Sequence, residues 1–180
     1  MPTSLSPAID TERLTMRRPR LEDFEEALAM WGDPRVARYI SGKPSTREEM
    51  WARLLRYVGH WELMGFGFWV VREKSTGRFV GEVGLADFRR DLEPSLGEDR
   101  EAGWVLAPWA HGKGYATEAV RAALKWAEDR FGPERVVCII DPGNEPSLKV
   151  AHKCGFREFS RGAYKGEPML MLERLPTANP

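Results

Sequence analysis

Trp104-Val-Leu-Ala-Pro-Trp-Ala-His-Gly-Lys-Gly-Tyr-Ala-Thr-Glu-Ala119 is the stretch on which the reading of this chain turns. A short apolar strand runs into a loop with glycines at 112 and 114. The loop opens directly into a helix with Ala116, Val120, Ala123, Leu124, Ala127 and Phe131 on one face. Glycines let a backbone approach a ligand closely and turn its N–H groups toward it. The helix adds N–H groups without intrahelical partners and the positive end of its dipole. Together these make an anion site suited to a phosphate or pyrophosphate. Two common phosphate loops do not fit. A P-loop needs Ser or Thr after its Gly-Lys, and here Gly114 follows Lys113. A dinucleotide fingerprint needs a third glycine where Thr117 stands. The bland alternative is a plain glycine turn before a core helix.

A second segment narrows the choice. Val136-Val-Cys-Ile-Ile140 is short, β-branched and continuously apolar, as a fully buried strand is. Asp141-Pro-Gly-Asn-Glu-Pro146 breaks the chain, and Ser147 to Cys154 predicts a helix closed by Gly155 and Phe156. The loop His111-Gly112-Lys113-Gly114-Tyr115-Ala116 resembles the Gln/Arg-x-x-Gly-x-Gly/Ala acetyl-CoA loop of the GCN5-related N-acetyltransferase (GNAT) superfamily, with His in place of Gln or Arg. Asn144-Glu-Pro-Ser147 followed by Lys153-Cys-Gly155-Phe156 is similar to the same family's Asn-x-x-Ser…Lys-x-Gly-Phe block. The two blocks lie one helix and one strand apart, as the family requires. The resemblance looks closest to the branch of ribosomal-protein N-terminal acetyltransferases (the RimJ/RimL type), and it runs from Thr11 to Arg174.

The resemblance implies an α/β (α+β) GNAT fold. Its sheet is mixed, mostly antiparallel, of six to seven strands splayed at strands four and five, with helices on both faces. The residues give a compatible order. Leu14 and Met16 alternate with Arg13 and Arg17 as in a strand, and Leu21 to Trp31 has a helical period ended by Gly32-Asp-Pro34. Val36 to Ile40 reads as one further turn. Ser45 and Glu48 fit a capping box for the helix through Trp61. Strands are expected at Phe68–Val71, Phe79–Leu85 and Glu101–Leu106, with 91–99 a loop. A strand from Arg157, a loop over Gly162–Pro168 and a strand at Met169–Glu173 close the chain. One domain, 11–175, is expected between a loose lead-in, 1–10, and a tail, 176–180.

Composition bounds the function. The 180 residues can bury a real core, and 42% of them are apolar. Lys plus Arg and Asp plus Glu number 27 each, so the formal charge is zero. That argues against nucleic acid as a bulk electrostatic partner. Cys138 and Cys154 form no Cys-x-x-Cys unit, and no His cluster has zinc-ligand spacing, so no metal is expected. The start, Met1-Pro-Thr-Ser-Leu-Ser-Pro7, has no basic or apolar signal character, and no apolar run is long enough for a bilayer. A cytoplasmic protein with no membrane partner is the expectation, as monomer or homodimer.

The resemblance implies an enzyme moving an acetyl group from acetyl-CoA to a primary amine by direct attack in a ternary complex. By position, Trp104, Val105 and Leu106 would bond the pantetheine arm, with an N–H near Val105 polarising the thioester oxygen. His111, Gly112, Lys113, Gly114, Tyr115, Ala116 and Thr117 would cradle the pyrophosphate. Asn144 would hold the arm, Ser147 would sit near the thiol, and Lys153 would reach the nucleotide phosphates. Glu101 is the candidate base, with Asp87 behind it; a solvated strand-end carboxylate is the bland reading of Glu101. Trp31, Tyr39, Trp61, Phe66, Trp69 and Phe88 lie in segments that wall the acceptor pocket in relatives, though at least half of such aromatics are expected in the core. Many relatives place a tyrosine where Ala151 stands, and His152 is about a 100° turn away. That departure is the one support for the alternative, an acyl-CoA-binding module without turnover.

Overall fold

A computed structural model describes residues 8–176. The stretch 1–7 and the tail residues 177–180 lie outside the described residues. Eight strands form one sheet: β1 (Ile9–Asp10), β2 (Leu14–Arg17), β3 (Phe68–Glu73), β4 (Phe79–Ala86), β5 (Arg100–Leu106), β6 (Val136–Ile140), β7 (Arg157–Tyr164) and β8 (Glu167–Arg174). Their order is β1-β2-β3-β4-β5-β6-β8-β7. One strand beyond the expected six to seven is the two-residue β1, whose Ile9 and Asp10 pair with Met16 and Thr15.

Every neighbouring pair is antiparallel except β5 and β6. Those two run parallel, and their register holds only at Arg100↔Val136 and Glu101↔Val137. From Ala102 onward β5 keeps its β4 partner and has none on the β6 side. Without β1 in the count, this is the splay expected between strands four and five.

Helices cover both faces, which explains why β4 is buried along its whole length rather than alternately. One face carries α4 (Tyr115–Phe131) and α5 (Glu145–Lys153). There Ala119, Val120, Ala123, Leu124 and Ala127 of α4 join one core cluster with Leu14, Met16, Trp69, Val71 and Val83 of the sheet. The other face carries α1 (Phe24–Trp31), α2 (Pro34–Ala37) and α3 (Arg47–Met64). Its core joins Phe24, Met30, Trp31, Met50 and Leu54 to Val70 and Phe79. No helix among the described residues is long and apolar enough to cross a membrane.

Three local expectations shift. The capping box of α3 is Thr46 with Glu49, not Ser45 with Glu48: Glu49 N–H donates to Thr46 Oγ1 at 3.1 Å, and Thr46 N–H to Glu49 Oε2 at 2.8 Å. Ser45 is occupied elsewhere, its N–H donating to the Trp31 carbonyl at 2.9 Å. The helical stretch from Leu21 begins as a 3-10 turn, Leu21–Asp23, before α1. The expected loop 162–168 is a tight hairpin, with Lys165 and Gly166 at φ of +53° and +84°. Two successive left-handed residues are what a two-residue turn between twisted strands requires.

Candidate active site

Two cavities meet where β5 leaves β6. The larger, about 510 Å³, has one wall from Trp104, Val105 and Leu106 and another from the loop His111–Thr117. Asn144, Ser147, Lys149 and Lys153 of the α5 segment close it. Gly112 and Gly114 sit at φ of +74° and +79°, the left-handed region that glycine enters without strain. A Cβ at Gly112 would meet nothing within 4 Å, so the space beside it is open. The cap of α4 is Gly114, with no side-chain hydrogen bond, and the first N–H bonded within the protein is that of Glu118. The N–H groups of Gly112 to Thr117 are left without a protein acceptor among the described residues. With Lys149 and Lys153 opposite, this donor set fits a pyrophosphate.

The loop is braced from behind. Arg13 donates to the Lys113 carbonyl at 2.8 Å and pairs with Glu118 at 2.6 Å. The Tyr115 side chain is held by its hydroxyl on Glu73 and its ring under Arg13. Lys113 also departs from the expectation: its ammonium lies over the Trp109 ring at 4.6 Å, and its side chain does not line the cavity. His111, the departure from the family pattern, has a structural use. Its Nε2 is 2.9 Å from the Leu106 carbonyl and must donate to it, tying loop to strand.

The smaller cavity, about 270 Å³, lies on the helix α1/α3 side. Trp31, Tyr39, Phe88 and Glu101 line it. Tyr39, Trp104, Val105, Asn144 and Ser147 line both cavities. Gly103 makes room here, since a Cβ would lie 2.6 Å from the Phe68 ring, another lining residue. Glu101 is buried and held at both oxygens by Arg90, at 2.7 Å each. Asn144 caps α5, its Oδ1 accepting from the Ser147 N–H at 3.3 Å, which leaves its amide N–H groups as donors. The Trp104 indole N–H is buried without a partner among the described residues.

Three expected pocket aromatics, Trp61, Phe66 and Trp69, and the second candidate base, Asp87, stand elsewhere. Trp61 and Trp69 pack edge-on against each other and against Trp126 in the α4-side core. Phe66 meets Phe131 in the same core. Asp87 binds Arg89, and its backbone carbonyl meets His60. Ala151 is fully buried and His152 exposed, so neither brings an acid to the junction.

Several residues escaped the sequence reading. Arg53 lines the smaller cavity, although Met50, Leu54 and Tyr57 around it are buried. An arginine three residues from Met50 and four from Tyr57 on an apolar stripe was the available signal. Glu82, in the middle of a wholly buried strand, was another. It is 1% exposed, and the Trp31 indole N–H donates to it at 2.8 Å. Burial pushes its carboxyl up to about 7, against the opposing pull of Trp31 and Arg53.

The family model "Acetyltransferase (GNAT) domain" matches residues 13–157. The uncharacterized protein YkkB of Bacillus subtilis is 32% identical over 173 residues, 91% of this chain and 93% of that one. The uncharacterized N-acetyltransferase p20 of Bacillus licheniformis is 27% identical over 149 residues, 82% of this chain and 81% of that one. The crystal structure of an acetyltransferase from Agrobacterium tumefaciens superposes with a TM-score of 0.80 at 26% identity, covering 93% of each chain.

Proposed function

Because this chain belongs to the GNAT acetyltransferase family and is an acyltransferase, we propose that it moves an acetyl group from acetyl-CoA to a primary amine by direct attack in a ternary complex. The observation that carries this reading is the meeting of two cavities at Trp104 and Val105, one built for a phosphorylated donor and one for an acceptor. When bound, acetyl-CoA supplies an activated acyl thioester. Gly112 to Thr117 hold its pyrophosphate with backbone N–H groups, and Lys149 and Lys153 add positive charge. An N–H beside Val105 on the splayed edge of β5, that of Trp104 or Leu106, polarises the thioester oxygen, where negative charge develops; the Val105 N–H itself faces Glu82 of β4. Glu101, kept in place by Arg90, receives the proton from the amine through a water. An α-amino group needs little help, since its ordinary pKa of about 7.7–8.0 leaves a usable neutral fraction near pH 7. As the carbon–sulfur bond breaks, the thiolate takes a proton from a water through the Ser147 hydroxyl, which gains one as it gives one. Holding both reactants at one junction supplies much of the remaining acceleration.

The second reading, a module that binds acyl-CoA without turnover, is favoured by Ala151 alone. Isothermal titration with acetyl-CoA, with CoA and NADH as comparators, tests the common premise. Micromolar binding of acetyl-CoA is expected. No binding at millimolar acetyl-CoA overturns both readings, and NADH binding in its place restores a dinucleotide site.

A further inference from the structure

We propose that the acceptor amine carries a carboxylate, and that Arg53 and Arg56 bind it. This deepens the transferase reading above and rests on it. The acceptor cavity is lined by four cations, Arg53, Arg56, Arg90 and Lys165, against two acids, Glu101 and Asp141. Glu101 is already paired with Arg90. Asp141 accepts from the Gly143 N–H at 2.7 Å. Neither Arg53 nor Arg56 has an ion-pair partner among the described residues. They stand three apart on α3, one above the other on the same face.

Arg53 is held as a binding group is held. Its guanidinium lies 3.5 Å from the centre of the Trp31 ring, and one N–H donates to Ser45 Oγ at 3.3 Å. Trp31 is fixed in turn by Glu82. Burial pushes the Arg53 guanidinium below the usual arginine range, since the charge has lost water without gaining a carboxylate. Keeping an arginine so costs stability unless an anion completes it. The planar fork of arginine matches a carboxylate's two oxygens, and a stacked guanidinium loses little freedom on binding one. The same charges repel an acceptor with a second ammonium, so a polyamine is disfavoured twice: it lacks the anion and adds a cation. A cavity of about 270 Å³ suits an acceptor the size of one amino acid. With its carboxylate on α3, such an acceptor directs its amine toward Val105 and Glu101.

The carboxylate has two sources, a free amino acid or an acidic residue at a peptide N-terminus. The test is CoA release from acetyl-CoA by the purified full chain with the twenty amino acids, their carboxamides, peptides beginning Asp, Glu, Ala or Ser, and spermidine. Amino acids exceeding their own carboxamides in kcat/KM by about 10- to 100-fold is the expected result. Peptides beginning Asp or Glu exceeding those beginning Ala or Ser by that factor, with free amino acids poor, assigns the second source. Arg53→Gln and, separately, the more exposed Arg56→Gln raise KM for the charged acceptor and erase its advantage. Both leave acetyl-CoA affinity unchanged, which also reports that the variants are folded. Carboxamides or spermidine serving as well as the acids overturn the proposal and leave the transferase standing. Acetyl-CoA binding with no acid turned over also overturns it, and with no acceptor turned over at all it favours the module without turnover. Failure to bind acetyl-CoA at all overturns both.

Discussion

Glu82 and Glu101 stand on neighbouring strands, both buried, with different partners. Glu101 has both oxygens bound by the one guanidinium of Arg90; Glu82 has one indole N–H, and burial raises its carboxyl to about 7 from an ordinary 4.5. Between those two pH values the folded chain holds a proton on Glu82 that the unfolded chain has released. Stability from this group is therefore full below pH 4.5 and is lost as pH rises through 7, by about 3 kcal/mol in all. Replacing each glutamate by glutamine separates their roles. Glu82→Gln still accepts from Trp31, and its stability gains on the parent by about 2–3 kcal/mol between about pH 5 and pH 8 in urea melts. Glu101→Gln lowers kcat by about 10²–10⁴-fold. A flat stability difference removes Glu82 as a titrating group, and a loss under about tenfold in kcat removes Glu101 as the base. Of these residues only Glu101 was legible in the sequence, because it heads a strand next to a recognisable loop. Glu82 lies inside an apolar run whose partner, Trp31, comes from a helix 51 residues away.

At the scale of elements, the phosphate loop needed the least tertiary information. Its glycines, the strand before it and the helix after it are contiguous, so local chemistry specifies the cradle. Gly112→Val tests it. The new Cβ has room, so the protein loses only about 1–2 kcal/mol to left-handed strain. Acetyl-CoA affinity falls at least about tenfold by titration; unchanged affinity would show that the backbone at Gly112 plays no part. The start of α3 was harder. Ser45-Thr46 and Glu48-Glu49 offer two capping boxes one residue apart, and sequence cannot rank them. The bond from Ser45 N–H to the Trp31 carbonyl ranks them, and it comes from another helix. The closing hairpin was misread for a similar reason. Gly162 looks like a loop residue, yet it is a strand position where a Cβ would lie 2.3 Å from the Glu93 carbonyl oxygen. Its lack of a side chain serves close packing, not a turn.

Across the whole molecule, the order of elements was legible, while the sorting of aromatics between core and cavity was not. A sheet covered on both faces buries successive side chains alike. Phe68 and Trp69 are adjacent and equally hidden, but one lines the acceptor cavity and the other packs under α4. Two cavities joined at one point also set the kinetic order. Initial-rate lines against acetyl-CoA at several acceptor concentrations should intersect, as for a ternary complex. Parallel lines would mean an acetylated enzyme, a role for which Ser147 has no paired base.

The two-residue pairing of β5 with β6 leaves two unpaired strand edges inside the protein rather than at its rim. An open edge on a surface invites another protein's strand, and with it aggregation. Here the two edges face each other in the middle of the sheet, with β4 behind one and β8 behind the other. Only something slender that carries its own amides can enter and pair with them, so the same gap that weakens the sheet also screens what may complete it.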